Sequence, residues 1–134
     1  MFETAMFYEI MEKLQQRAHA NSKDKGFWDG EDNRNIPSKI CLIHSELSEM
    51  LEAFRSGNPD CTKTLPDMNG NPLPLAIMKS ANWKTMKSIE EEAADVFIRL
   101  LDLCEYLGID LAQCTLVKMR YNEGIAKMHG GKKI

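Results

Sequence analysis

The chain lacks most of the features that announce a function. None of its 134 residues belongs to an apolar run near the roughly 18 needed to span a bilayer. Its N-terminus has no basic region ahead of a long apolar stretch, so no secretory leader is expected. Neither sign of charge dominates: 17 Lys and Arg stand against 20 Asp and Glu, for a net charge of −3. That balance offers no electrostatic footprint for duplex nucleic acid. The four cysteines, Cys41, Cys61, Cys104 and Cys114, have no CxxC spacing, which argues against a zinc site or a disulfide frame. Cys41 and Cys104 fall on expected buried helix faces and read as core thiols. His19, His44 and His129 form no His-Asp doublet of the kind metal-dependent phosphohydrolases use, and no Glu-x-x-His pair suits a di-iron bundle. Strand alternation and internal repeats are absent too. What remains is one all-α domain over residues 1–134, expected to be cytoplasmic, with neither nucleic acid nor membrane as partner.

Two stretches, residues 38–55 and 88–107, organise this domain. Each reads as a helix bearing two acids three residues apart, Glu46 with Glu49 and Glu92 with Asp95. Residues so spaced lie on one side of a helix, so each pair aims its carboxylates at one spot. In the first stretch Ile40, Ile43, Leu47, Met50, Leu51 and Phe54 form an apolar arc, with Cys41 and Leu42 beside it. At roughly 100° per residue, Glu46 falls inside that arc, about 40° from Met50, and Glu49 at its edge. A carboxylate aimed at a core is costly unless paired or bound to metal. A buried salt bridge is one reading of Glu46. A cage of four carboxylates around hard cations is the other, and the second acidic pair favours it. Along 88–107, Glu92, Asp95, Arg99 and Asp102 form a polar stripe on an otherwise apolar helix. Arg99 reads either as an i, i+4 partner of Asp95 or as a phosphate contact.

The remaining segments read as follows. Residues 3–20 have amphipathic spacing and form a first helix. A polar run from His19 leads into Gly26-Phe27-Trp28-Asp29, where Trp28 suits equally a cap over helix ends and a platform for a ligand ring. Pro37 fits the first turn of the helix after it. Residues 60–87, with four of the chain's five prolines if Pro59 is included, form a long connection with one helical turn near 75–83. Ser88-Ile-Glu-Glu91 is a capping-box pattern, Gly108 a stop, and Asp110 the cap of a last helix through about Asn122. Residues 123–134 read as a flexible tail.

The ordered set Glu46-x-x-Glu49, connection, Glu92-x-x-Asp95 resembles the all-α nucleotide pyrophosphohydrolases of the MazG and dCTP-pyrophosphatase superfamily. Leu42-Ile-His-Ser-Glu-Leu-Ser-Glu-Met-Leu-Glu-Ala is similar to that family's first metal helix, and Glu91-Glu-Ala-Ala-Asp-Val-Phe-Ile-Arg-Leu-Leu-Asp to its second. Lys118-Met-Arg-Tyr121-Asn122, followed by His129-Gly-Gly-Lys-Lys133, is similar to the C-terminal signature of small phage and bacterial MazG-like proteins, and Lys25-Gly-Phe-Trp28 is similar to a region that helps hold the nucleotide in the family. One departure stands out, since Ile125 and Ala126 occupy places where small members carry Arg and Pro. The resemblance implies a bundle of four to five helices whose core is completed in a homodimer or homotetramer. It also implies conversion of a (deoxy)nucleoside triphosphate to monophosphate and pyrophosphate. Glu46, Glu49, Glu92 and Asp95 are then ligands for Mg²⁺, with Mn²⁺ as substitute, and Glu46 or Glu49 takes a proton from water. His19, Asn21, Trp28, Lys118, Tyr121 and Asn122 are the implied substrate contacts. A non-catalytic helical interaction module is the alternative.

Overall fold

A computed structural model describes residues 2–30, 35–56 and 89–125. Among them every regular element is helical: α1 (Phe2–Asp24), α2 (Ile36–Arg55), α3 (Ile89–Leu107) and α4 (Leu111–Gly124). The all-α expectation holds. The 60–87 connection, the Ser88 cap, Cys61 and the tail from 126 onward lie outside the described residues.

Helix ends follow their local chemistry. α1 runs beyond the expected end near residue 20, because Gly26 takes a positive φ of 82° and lets two backbone bonds close the last turn. These run from Gly26 N–H to the Lys23 carbonyl and from Phe27 N–H to that of Ser22, the Schellman pattern. Gly108, at φ 68°, does the same for α3, with Ile109 N–H donating to the Cys104 carbonyl and Gly108 N–H to that of Glu105. The chain then starts α4 at once. Asp110 caps it by accepting from Gln113 N–H at 2.9 Å, as its sequence pattern implies. α4 continues through Glu123 and Gly124, which the sequence reading assigns to the tail.

The chain divides into two compact units, one of Met1–Asp29 with Leu101–Ile134 and one of Gly30–Leu100. In the first, Met11, Leu101 and Ala112 form a buried centre, with Phe7, Tyr8, Leu14, Ala18 and Leu111 packed around it. Gln15, buried beside Met11, is fully used. Its amide NH₂ donates to the Ile109 carbonyl at 3.0 Å and to Glu105 at 3.3 Å, and its oxygen accepts from Leu111 N–H at 3.2 Å. One side chain thus pins the α3–α4 turn to α1.

In the second unit, α2 departs from the simplest wheel reading. Its covered stripe is Ile36, Lys39, Ile43, Glu46, Met50 and Ala53, of which Glu46 and Ala53 are the buried members. Ile40, Leu47, Leu51 and Phe54, expected on the same inward arc, are exposed, Phe54 to 70%. Cys41, expected to be a core thiol, is exposed as well, whereas Cys104 is buried as expected. α2 is wide enough in apolar residues to carry two stripes, and this chain covers the one containing the acid. No helix among the described residues is long and apolar enough to cross a membrane.

Candidate metal centre

Glu46 comes from the middle of the covered stripe of α2, and Glu92 and Asp95 from successive turns of α3. Oxygens of all three lie within 4.8 Å of one another. Glu46 and Glu92 are buried, at 6% and 5% exposure, and Asp95 is half-buried. Such a cluster is self-repelling, since like charges at that separation in a poorly solvated site disfavour joint ionisation. Burial, then the charges of Glu49, Asp95 and Glu46, push the Glu92 carboxyl above the ordinary glutamate range. Burial and Glu46 push Asp95 upward too, with Arg99 pulling partly the other way.

Arg99 is a cation in contact with this cluster. Its Nε–H donates to Glu46 Oε1 at 2.5 Å, a charge-assisted bond between residues 53 apart in the chain. The i, i+4 geometry that suggests an Asp95 partner is therefore not the contact that forms. Glu49, the fourth expected ligand, stands exposed outside the tight triad, and its charge helps to raise the Glu92 carboxyl. The acid set is thus partly neutralised by a guanidinium.

The donor set fits a hard divalent cation. All its candidate ligands are carboxylate oxygens, the type Mg²⁺ and Mn²⁺ prefer, and they converge from two rigid helices. An ion there would remove the repulsion that now holds the Glu92 and Asp95 carboxyls above their usual range.

The expected substrate contacts fall in the other unit. His19 Nδ1 lies 2.7 Å from Asp102 Oδ1, and the Trp28 indole N–H donates to the same oxygen at 2.9 Å. Trp28 stacks on Tyr106 at 4.2 Å between ring centres, and His19 meets Trp28 edge-on at 5.3 Å. The even choice for Trp28 thus gains a third term, a packed aromatic cluster organised by Asp102. Asn21 is exposed on the last full turn of α1, its carbonyl accepting from Lys25 N–H. Lys118 lies over the exposed Tyr121 ring at 4.5 Å, and Asn122 is exposed near the end of α4.

No family model, no curated protein and no solved structure matches the chain. The geometry has to carry the functional reading.

Gln15 and Tyr106 lay beyond the reading of the sequence. Asp102 was visible as part of the α3 polar stripe, but its spacing alone does not separate a hub from a solvated acid. Gln15 had one available signal, since it follows the core residue Met11 by four positions and so shares its inward face.

Proposed function

We propose that the chain is a Mg²⁺-dependent nucleoside triphosphate pyrophosphohydrolase that converts a (deoxy)nucleoside triphosphate to its monophosphate and pyrophosphate. The observation that supports this reading is the convergence of Glu46, Glu92 and Asp95 on one spot from two helices. Acids buried without matching cations are costly to folding, and a site for a multiply charged ligand gives that arrangement a use.

In this reading Glu46, Glu92 and Asp95 would hold the divalent ion, with Glu49 as the fourth ligand. When bound, the ion supplies charge neutralisation for the triphosphate and a more acidic attacking water. Glu49 is the better general base of the two candidates. It is open to solvent, whereas Glu46 is held by Arg99. Lys118 and Arg99 would neutralise charge on the phosphate chain. His19 and Trp28, fixed through Asp102, contact the base, and Asn21, Tyr121 and Asn122 complete the nucleotide contacts. The uncovered stripe of α2, Ile40, Leu47, Leu51 and Phe54, is the surface on which a second copy would complete the core in a homodimer or homotetramer. A cytoplasmic location suits an enzyme of the nucleotide pool.

A panel of ribo- and deoxyribonucleoside triphosphates with Mg²⁺ tests the reading. Equal amounts of monophosphate and pyrophosphate from at least one nucleotide are expected. Orthophosphate release, or no turnover with any member of the panel, contradicts it.

A further inference from the structure

The cluster of three carboxylates already has an internal cation, and the identity of its partner is informative. Arg99 bypasses Asp95, one turn away on its own helix, and crosses to Glu46 on α2. Glu46 is nine-tenths buried, and the Arg99 side chain is more exposed, at 38% against 9%. The guanidinium, the more exposed partner of the two, holds the most enclosed acid of α2. An arginine cannot release its charge by losing a proton. Any second cation among these oxygens must meet that charge or displace it.

Resting on the function proposed above, we propose that Arg99 is a built-in countercation that competes with the divalent ion for Glu46 and passes to the phosphate chain when metal and nucleotide bind together. Without nucleotide, the Arg99–Glu46 pair keeps the α2 acid neutralised and the affinity for metal alone low. With nucleotide, the anionic phosphates offer the guanidinium a bidentate partner. Metal and nucleotide then bind cooperatively, because each removes an obstacle to the other. Arg99 is in this account both a regulator of metal loading and a phosphate ligand.

The test is Mn²⁺ binding, without nucleotide, to the full chain and to R99Q, R99K and E46Q, read by the loss of the free-ion paramagnetic resonance signal. R99Q is expected to bind Mn²⁺ about tenfold more tightly than the wild type. R99K, which keeps the charge, should stay near the wild type, and E46Q should bind at least about tenfold more weakly. In steady state with the best nucleotide, R99Q should raise KM for the nucleotide while its Mn²⁺ requirement falls. Because R99Q leaves Glu46 uncompensated, thermal unfolding with and without Mn²⁺ guards against a folding defect. Mn²⁺ should raise the R99Q midpoint more than the wild-type midpoint. Equal or weaker Mn²⁺ binding by R99Q overturns the competition while leaving the hydrolase reading intact. Absence of Mn²⁺ binding in the wild type and in every variant overturns both.

Discussion

The two units use buried polar groups in opposite ways. Around α1 and α4 each such group is matched. Gln15 makes three hydrogen bonds to the α3–α4 turn, and Asp102 receives the Trp28 indole and pairs with His19 through one oxygen. Between α2 and the start of α3, three carboxylates converge with one guanidinium against them. A matched network specifies one packing and asks for nothing further. A cluster with an excess of one charge is under electrostatic stress until something of opposite sign arrives, and acids perturbed by burial and by one another mark functional-site candidates.

Mutations should divide along that contrast. The largest effect is expected from E46Q or E92Q, which should lower turnover by at least about 100-fold in a nucleotide assay, since losing a ligand exceeds the loss of a supporting group. E92Q should not unfold the protein, because it removes a repulsive charge, whereas E46Q also gives up the charge that pairs with Arg99. Retained turnover in both would place the chemistry elsewhere.

In the matched unit the order reverses, with stability hit and chemistry spared. L101A should cost about 2–5 kcal/mol in denaturant unfolding by opening a cavity beside Met11 and Ala112. Q15A should cost about 2–4 kcal/mol, since it leaves the Ile109 carbonyl and the Leu111 N–H without their partner. Turnover per folded molecule should remain that of the wild type in both.

The dependence of stability on pH sharpens the comparison from another side. Glu92 and Asp95 have carboxyls raised by burial and by neighbouring acids. A carboxyl raised on folding binds more proton in the native state, so its contribution to stability is full below the unfolded value and is lost as pH rises through the folded one. In chelator, thermal unfolding should therefore show a more stable protein at about pH 5 than at about pH 7.5. Divalent metal should restore the loss at the higher pH. A midpoint that rises toward neutral pH in chelator, with no response to metal, would remove the electrostatic stress from the account.

The smallest effect concerns a cap. D110A should cost about 1 kcal/mol and D110N much less, because either Asp or Asn accepts from Gln113 N–H and Ala cannot.

What the sequence disclosed was mainly local. The burial of Glu46 follows from its position on the helical wheel, and the caps of α4 and the stop at Gly108 follow from residue type alone. Relations between distant segments were not open to that reasoning. The Arg99–Glu46 pair joins residues 53 apart, and periodicity within α3 can suggest only the neighbour Asp95. Trp28 met Asp102 and Tyr106 for the same reason, across 74 positions in the case of Asp102. The exposure of Cys41 and Phe54 follows from the width of the apolar arc of α2, which exceeds what one neighbouring helix covers. A wheel reports which residues are apolar, and packing decides which of two apolar stripes is covered.

Crystals grown with Mn²⁺ and measured near its absorption edge test the central claim most directly. The account expects an anomalous peak bound by oxygens of Glu46, Glu92 and Asp95 at about 2.1–2.2 Å, close to the distances hard divalent ions keep. Ordered crystals at millimolar Mn²⁺ with no peak among these three carboxylates, and with Arg99 still seated on Glu46, would contradict it.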